Sequence, residues 1–320
     1  MAAGVTLVSN LTVGQAVPTE FIAEIAVRQQ QGRVVRNVVF QDILPSGEGN
    51  TYDISEMVRL SAFALVEGVD MAQAQQLSTT ELLSLNPSEI GCQVVLSDKS
   101  ASKFTKKGGS LPRMVGALLG NAIITKEDVD GLGQASGYTL GLGSDSTTMT
   151  LGHMIAAVNA IHGGDTTADG SAITAGTMEP PSGQPISIIV NSRMAHPVHK
   201  ELSGGTQVPN TDETTLVAQY GASMAAALRT SVDRAISPVA GATVFIDENL
   251  AKNSNNGVVG MALSKMSLAY IGFDGGVHIE RERDSSLRGT EYNTWVYYAW
   301  GERKDIWGRK FTFDGSLPTS

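Results

Sequence analysis

The sequence has little of what most enzymes and metal-binding modules use. Only Cys92 is a cysteine, so an intrachain disulfide and a cysteine-rich zinc site are both excluded. Five histidines are present, but the proline between His196 and His199 breaks the helix-face spacing that a zinc pair needs, and no glutamate lies between them. The sequence therefore predicts no catalytic residue, no cofactor site and no metal site, and we predict that the protein is not an enzyme.

One pair of residues could suggest a hydrolase. Ser192 lies four positions before His196, but no nucleophile-elbow pattern surrounds the serine. Serine is a favoured N-cap residue, and we expect Ser192 to cap a helix. A soluble hydrolase that uses Ser192 and His196 is kept as the alternative from a different functional class.

Charged residues are scarce, at 17% of the chain, and long hydrophobic runs are absent. The net charge of −9 disfavours a dedicated nucleic-acid-binding protein, because phosphate affinity comes mainly from clustered lysine and arginine. No run reaches the length of a membrane span, and the N-terminus lacks the basic and apolar regions of a signal peptide. We expect a chain that folds in the cytoplasm and has no membrane partner.

Residues 50–98 have the pattern of a long projecting arm. The first ten alternate as in a half-buried strand, residues 93–96 form a β-branched run, and residues 66–70 are the predicted tip. At about 3.3 Å per residue the outgoing limb would reach about 60 Å, whereas a globule of this length has a radius of gyration of about 20 Å. A lone two-stranded projection is marginally stable, so the arm needs a neighbouring surface. The alternative is a meander within one globule, with residues 71–76 and 79–85 helical.

An amphipathic helix is predicted from Leu111 to about Gly131, with Ser110 as its cap and Pro112 in its first turn. It would be roughly 30 Å long, which suits the spine of a subunit. Gly116 and Gly120 are predicted sites of close approach by another backbone. The apolar residues of the helix form one stripe at helical spacing: Leu111, Met114, Val115, Leu118, Leu119, Ala122 and Ile123.

The remaining elements follow from composition and periodicity. Residues 33–43 are a strand candidate, and the glycine-rich stretch 131–150 is a predicted linker to a second lobe. That lobe has an α/β pattern, with helices predicted at 151–161, 192–202 and 212–230 and strands at 186–190 and 242–246. The last strands, at 277–283, 292–300 and 311–313, are predicted to form one antiparallel sheet that returns to the spine helix.

This order of elements resembles the major capsid proteins of tailed double-stranded DNA bacteriophages. The resemblance is carried by residues 66–68, by 118–122 through 127–131, and by 278–284, and it spans nearly the whole chain. It implies an α+β chain with the HK97-like capsid fold. The implied parts are an N-terminal arm (1–44), an extended β-hairpin loop (45–98), a peripheral domain with a long spine helix (99–139) and a return sheet (271–320), and an α/β axial domain (140–270).

The resemblance implies a structural protein that self-assembles into pentamers and hexamers, which close into an icosahedral head around double-stranded DNA. Its location would be the virion, after assembly in the host cytoplasm, and portal and cement proteins would be partners. Because the extended loop begins near residue 45, we expect a separate scaffolding protein or none. An encapsulin-type compartment shares the fold and is the alternative, with a cargo enzyme in place of DNA.

Two departures from the family pattern concern how subunits are held together. Some members join a lysine of the extended loop to an asparagine of a neighbour, but residues 50–98 contain no lysine, so we expect a noncovalent shell. We further predict that Glu67 and Asp70 at the loop tip pair with Arg281 or Arg283 of an adjacent subunit, because the two elements carry opposite charges. The alternative is a solvated charged face.

Overall fold

The computed structural model describes residues 34–45, 51–57, 79–100, 111–164, 180–181, 183–202, 238–273 and 276–316. The helices of this part are α1 (Val35–Val38), α2 (Leu111–Gly133), α3 (Leu151–Gly163) and α4 (Ser192–Leu202). The strands are β1 (Phe40–Leu44), β2 (Tyr52–Met57), β3 (Thr79–Leu85), β4 (Ser88–Ser97), β5 (Gly141–Leu142), β6 (Ile186–Val190), β7 (Thr243–Ile246), β8 (Gly257–Ser264), β9 (Leu268–Phe273), β10 (His278–Asp284), β11 (Gly289–Glu302) and β12 (Gly308–Asp314).

The strands form two five-stranded sheets and one hairpin. The first sheet has the order β1-β9-β11-β10, and β4 pairs with the edge of β11 that is opposite to β9 and β10. Strands β1 and β9 are the one parallel pair among the described strands of this sheet. The second sheet has the order β5-β12-β8-β6-β7. The hairpin pairs β2 with β3 in antiparallel register, with an irregularity between Ile54 and Ser55.

Strand β11 organises the first sheet because its side chains alternate between two covered faces. On one face, Tyr298 and Trp300 contact Tyr270 of β9 at ring-centroid distances of 5.9 and 4.9 Å and join the main hydrophobic core. On the opposite face, Ala299 contacts a small separate cluster that includes Ile271. The first sheet therefore lies between the main core and the base of the hairpin.

Helix α2 lies on the main-core face of the first sheet. Its residues Val115 and Leu119 pack with Leu96 of β4, and its C-terminal half joins the main core through Ile123. The prediction of a long spine helix is confirmed, and Ser110 lies outside the described residues. The predicted apolar stripe is wrong at Leu118, which is 49% exposed because the helix turns that position away from the sheet.

The close contact of α2 with another element does not lie at Gly116 and Gly120, where it was predicted. A Cβ at Gly116 or Gly120 would meet nothing within 4 Å, whereas a Cβ at Gly131 would lie 2.8 Å from the Trp300 indole. The contact thus occurs where the large indole of β11 crosses the last turns of the helix. Glycine is required there by the approach of a side chain, not of a backbone.

The second sheet packs into the same main core as the first sheet. All five residues of β6 are buried, as predicted for a central strand, and helix α3 packs Met154 and Ile161 into the same core. Thr150 caps α3 by accepting a hydrogen bond from the His153 amide, and Gly164 ends it in the left-handed region at φ 61°. The helices predicted at 151–161 and 192–202 are confirmed, and residues 212–230 lie outside the described residues.

Two predictions of local structure and one alternative were wrong. Residues 35–38 form helix α1, so the strand predicted at 33–43 is confined to β1. Residues 131–150 are not a linker, because Tyr138 and Met149 are buried in the main core. Residues 79–85 form strand β3, so the helical alternative for that segment fails.

The C-terminal strands do not form one sheet. Strands β10 and β11 pair as predicted, but β12 pairs with β8 and β5 in the second sheet. Phe311 and Phe313 explain this, because both side chains are fully buried in the main core. The chain therefore passes from the first sheet to the second after β11. The predicted domain boundaries stay a prediction.

Candidate assembly surfaces

The base of the hairpin is fixed to the first sheet by an apolar cluster. Ile54 of β2 and Leu85 of β3 are buried against Ile271 of β9 and Leu44 of β1. A Cβ at Gly301 would lie 2.5 Å from the Leu85 Cδ2, so β11 keeps its surface flat where β3 crosses it. The base thus has its own small core, on the side of the sheet opposite to α2.

Polar contacts border this cluster on two sides. The Lys304 ammonium donates to the Glu56 carboxylate at 3.0 and 3.3 Å. The Tyr52 hydroxyl donates to the Asp42 carboxylate. This hydrogen bond, with partial burial and the Asp42 charge, raises the pKa of Tyr52 to about 12. Both contacts tie strand β2 to the body of the subunit and set the direction in which the hairpin leaves it.

Strand β10 is the second candidate surface because it forms an edge of the first sheet and its five central residues are exposed. Ile279 is 69% exposed and Val277 is 40% exposed. No described element covers either side chain. An exposed edge strand with apolar residues is a natural site for pairing between chains.

The predicted contact residues divide between described and undescribed segments. Glu67 and Asp70 lie outside the described residues. Arg281 lies on β10, with its guanidinium 5.9 Å from the centroid of the Tyr292 ring. Arg283 forms a bidentate pair with Asp98, with nitrogen–oxygen distances of 3.0 and 2.8 Å. Of the two arginines, Arg283 thus already has an acidic partner within its own chain.

Asp98 is a contact residue that sequence reasoning did not identify. It follows β4, whose last residue, Ser97, pairs with Gly289 of β11. The Arg283 guanidinium beside it holds the pKa of the Asp98 carboxyl below its usual range. No local sequence signal marks this pair, because its two residues are 185 positions apart and are brought together only by the register of three strands.

The residues considered for chemistry do not form a reactive site in the described ranges. No group of three or more His, Cys, Asp and Glu side chains there has the arrangement of a metal site. Helix α4 runs through Pro197, so the proline does not interrupt the helical spacing of His196 and His199, contrary to the expectation. Burial and the nearby His196 lower the pKa of His199. Asn191, not Ser192, caps the helix, because its Oδ1 accepts a hydrogen bond from the Arg193 amide at 2.9 Å.

Comparison with known proteins identifies the fold of the chain but no sequence family. No family model and no curated protein matches the chain. Among solved structures, the head of Helicobacter pylori bacteriophage KHP40 matches with a TM-score of 0.67 at 9% identity, covering 99% of this chain and 100% of that chain. The capsid of Ralstonia phage GP4 matches with a TM-score of 0.62 at 10% identity, covering 100% of both.

An encapsulin has the same architecture. The encapsulin complex from Synechococcus elongatus matches with a TM-score of 0.55 at 7% identity, covering 100% of this chain and 95% of that chain. Within the described ranges, no helix combines the length and the apolar character that a membrane span requires. The predicted α+β architecture is confirmed, and the chain has the HK97-like fold of these capsid structures.

Proposed function

We propose that this protein is the major capsid protein of a tailed double-stranded DNA bacteriophage. It assembles into pentamers and hexamers of an icosahedral head, and its location is the virion. The observation that carries the proposal is the match to phage capsids over the full length of both chains. A separate scaffolding protein, a portal and a cement protein are its proposed partners, and packaged DNA lies near the shell without specific recognition.

The geometry of the hairpin base supports this proposal. Strands β2 and β3 contact the subunit through their apolar base cluster and the Lys304–Glu56 pair. Strands β2 and β3 are connected by 21 residues that lie outside the described ranges. A two-stranded ribbon gains little stability in water by itself, so a ribbon of this kind is stabilised by the surface of an adjacent subunit.

The first experiment is to express the chain alone and to examine it by size-exclusion chromatography and negative-stain electron microscopy. Closed shells, tubes or capsomer rings are expected. A chain that stays monomeric at every concentration and ionic strength, with and without a co-expressed scaffolding protein, would contradict the proposal. Hydrolase activity that is lost on replacing Ser192 would instead favour the alternative enzyme.

The encapsulin alternative is favoured by the match to the Synechococcus structure over the full length of this chain. Both proposals predict closed shells, so particle shape does not separate them. The contents of particles purified from the native source do, because a phage head contains double-stranded DNA and an encapsulin contains a protein cargo. Nuclease-protected DNA supports the phage proposal, and a co-purifying enzyme with no protected DNA supports the encapsulin.

The shell is expected to be noncovalent. Residues 50–98 contain no lysine, so a crosslink from the extended loop has no amine nucleophile. Purified shells heated in detergent should therefore run as a single band near 33.6 kDa on a denaturing gel. A ladder of covalent oligomers would contradict this prediction, and boiled shells of a crosslinking phage provide the positive control.

The proposed contact between the loop tip and β10 is tested by charge exchange. Because Arg283 pairs with Asp98, we expect Arg281 to be the partner of Glu67 in an adjacent subunit. Glu67→Arg should lower the shell yield, and adding Arg281→Glu should restore it, since an exposed pair contributes at most about 1 kcal/mol but is repeated in every subunit. Unchanged yield in the single variants would support a solvated charged face.

A further inference from the structure

Three buried carboxyl groups, those of Glu127, Asp128 and Asp247, lie where α1, α2 and the turn after β7 meet. Two of them, Asp128 of α2 and Asp247 of the turn, are 1% and 0% exposed. The Asp128 Oδ1 accepts hydrogen bonds from the amides of Val34 and Val35 at 2.8 and 3.1 Å, and its Oδ2 accepts one from the Asn249 side chain at 2.8 Å. One carboxylate thus joins three separate segments of the chain.

Asp247 has a different environment. Its Oδ1 accepts a hydrogen bond from the Asn249 amide at 2.9 Å. No N–H or O–H donor of the described residues reaches its Oδ2, which is fully buried. The group that this carboxyl meets is the Asp128 carboxylate. A buried acceptor without a donor is costly, and two adjacent buried carboxylates repel each other. A proton on Asp247 removes both costs, because the carboxyl then donates to Asp128.

The other charged groups of the cluster do not offer Asp247 a positive charge. Glu248 is adjacent in the turn and accepts a hydrogen bond from the Asn191 side chain at 3.0 Å. Glu127 of α2 is 0% exposed and pairs with Arg36 of α1 at 2.9 Å. Burial, the hydrogen bond with Asp128 and the charges of Asp128 and Glu248 raise the pKa of Asp247 to about 7.

We propose that Asp247 and Asp128 share one proton and that this carboxyl–carboxylate pair is a pH-dependent clasp that holds the start of α1 on the spine helix. Below neutral pH the pair carries one negative charge and one proton, and the hydrogen bonds to Val34 and Val35 are kept. Above neutral pH the proton leaves to solvent. Two carboxylates then face each other, and the contact between α1, α2 and the turn weakens.

The sign of the effect follows from linkage. The pKa of Asp247 is raised from an ordinary value of 3.8 to about 7, so the folded chain binds this proton more tightly than the unfolded chain does. The stability that the clasp contributes is full below pH 3.8. It falls as the pH rises between 3.8 and about 7 and is absent above that range. The clasp is therefore stronger at acidic pH than at neutral or alkaline pH.

Hydrogen exchange at the Val34 and Val35 amides reports the clasp directly. After correction for the intrinsic rate at each pH, the protection of a peptide that covers residues 34–38 should fall about tenfold between pH 6 and pH 8. In Asp247→Asn the side-chain amide donates to Asp128 at every pH, so the protection should stay constant over that range. Protection in the parent that does not change with pH would overturn the proposal.

A matched control and a second readout keep the test sharp. Asp284 is the last residue of β10, where the Ser286 hydroxyl and nearby amides lower its pKa, so Asp284→Asn should keep the pH dependence of the parent. If Asp247→Asn does not fold, the pH dependence of the parent decides the test, because its melting temperature should fall by about 2 °C from pH 6 to pH 8. A melting temperature that rises over that range would contradict the clasp. Neither measurement requires a shell, so both stand apart from the proposed function.

Discussion

Replacing Gly143 by alanine is expected to destabilise the subunit by about 3–5 kcal/mol. Gly143 follows β5 at φ 83°, a conformation that residues with a side chain rarely adopt. A Cβ there would lie 2.4 Å from the Thr312 carbonyl oxygen and 2.5 Å from the Phe313 ring. Neither neighbour can move easily, because β12 is paired with β8 and Phe313 is fully buried. Thermal or urea unfolding of the purified chain measures the loss.

Two other glycines separate the cost of the positive φ from the cost of the close contact with β12. Gly183 has φ 69°, but a Cβ there meets nothing within 4 Å, so Gly183→Ala isolates the backbone cost of about 1 kcal/mol. Gly133 ends α2 in open space, and Gly133→Ala should be neutral or slightly stabilising because alanine favours helices. If Gly143→Ala costs no more than Gly183→Ala, the close contact with β12 does not determine the effect.

The long elements were predictable because their signals are local. Helix α2 has apolar residues at helical spacing over several turns, and β6 consists of β-branched residues except for Ser187, so each pattern identifies its element without knowledge of the partner. Leu118 was assigned wrongly for the same reason. Periodicity places it on the apolar side, but whether a sheet lies beneath it depends on tertiary packing.

The composition of the segment 131–150 did not reveal that the segment is tightly packed. Glycine-rich sequence is typical of linkers, yet here it supplies the space in which large side chains and backbones meet. A Cβ at Gly308 would lie 2.1 Å from the ring of Tyr138, and Gly143 makes a similar approach to Phe313. Because these contacts join residues far apart in sequence, the difference between a linker and a tightly packed crossing is visible only in the fold.

The candidate surfaces were predictable in place but not in detail. The alternating start of the arm identifies β2. Residues 93–96, which were predicted to close the arm, instead belong to β4 and pair with β11, and the partner of β2 is β3. The separate apolar cluster beneath it was not predictable, since Ile54 and Ile271 are joined only by the crossing of two strands. The same holds for Asp98 and Arg283, whose pairing depends on the strand register.

Replacing Ile54 by alanine is expected to prevent shell assembly while leaving the two five-stranded sheets folded. Ile54 is 8% exposed in the cluster under the hairpin, which is separate from the main core. Removing a buried isoleucine side chain costs about 2–4 kcal/mol, and a loss of 2 kcal/mol lowers the ratio of docked to undocked hairpin about thirtyfold. A hairpin without a fixed base no longer leaves the subunit in one direction. Circular dichroism should be preserved, and the shell yield seen by electron microscopy should fall sharply.

The adjacent residue provides the matched control. Ser55 is exposed on the same strand, so Ser55→Ala removes a hydroxyl from β2 without changing the cluster, and its shells should equal those of the parent. Proteolysis across residues 52–85 should accelerate in Ile54→Ala only. Normal shells from Ile54→Ala would show that the hairpin is positioned by contacts between subunits and not by its own base. Loss of the whole fold would show instead that the small cluster and the main core unfold as one unit, because a hairpin base with independent stability can open without them.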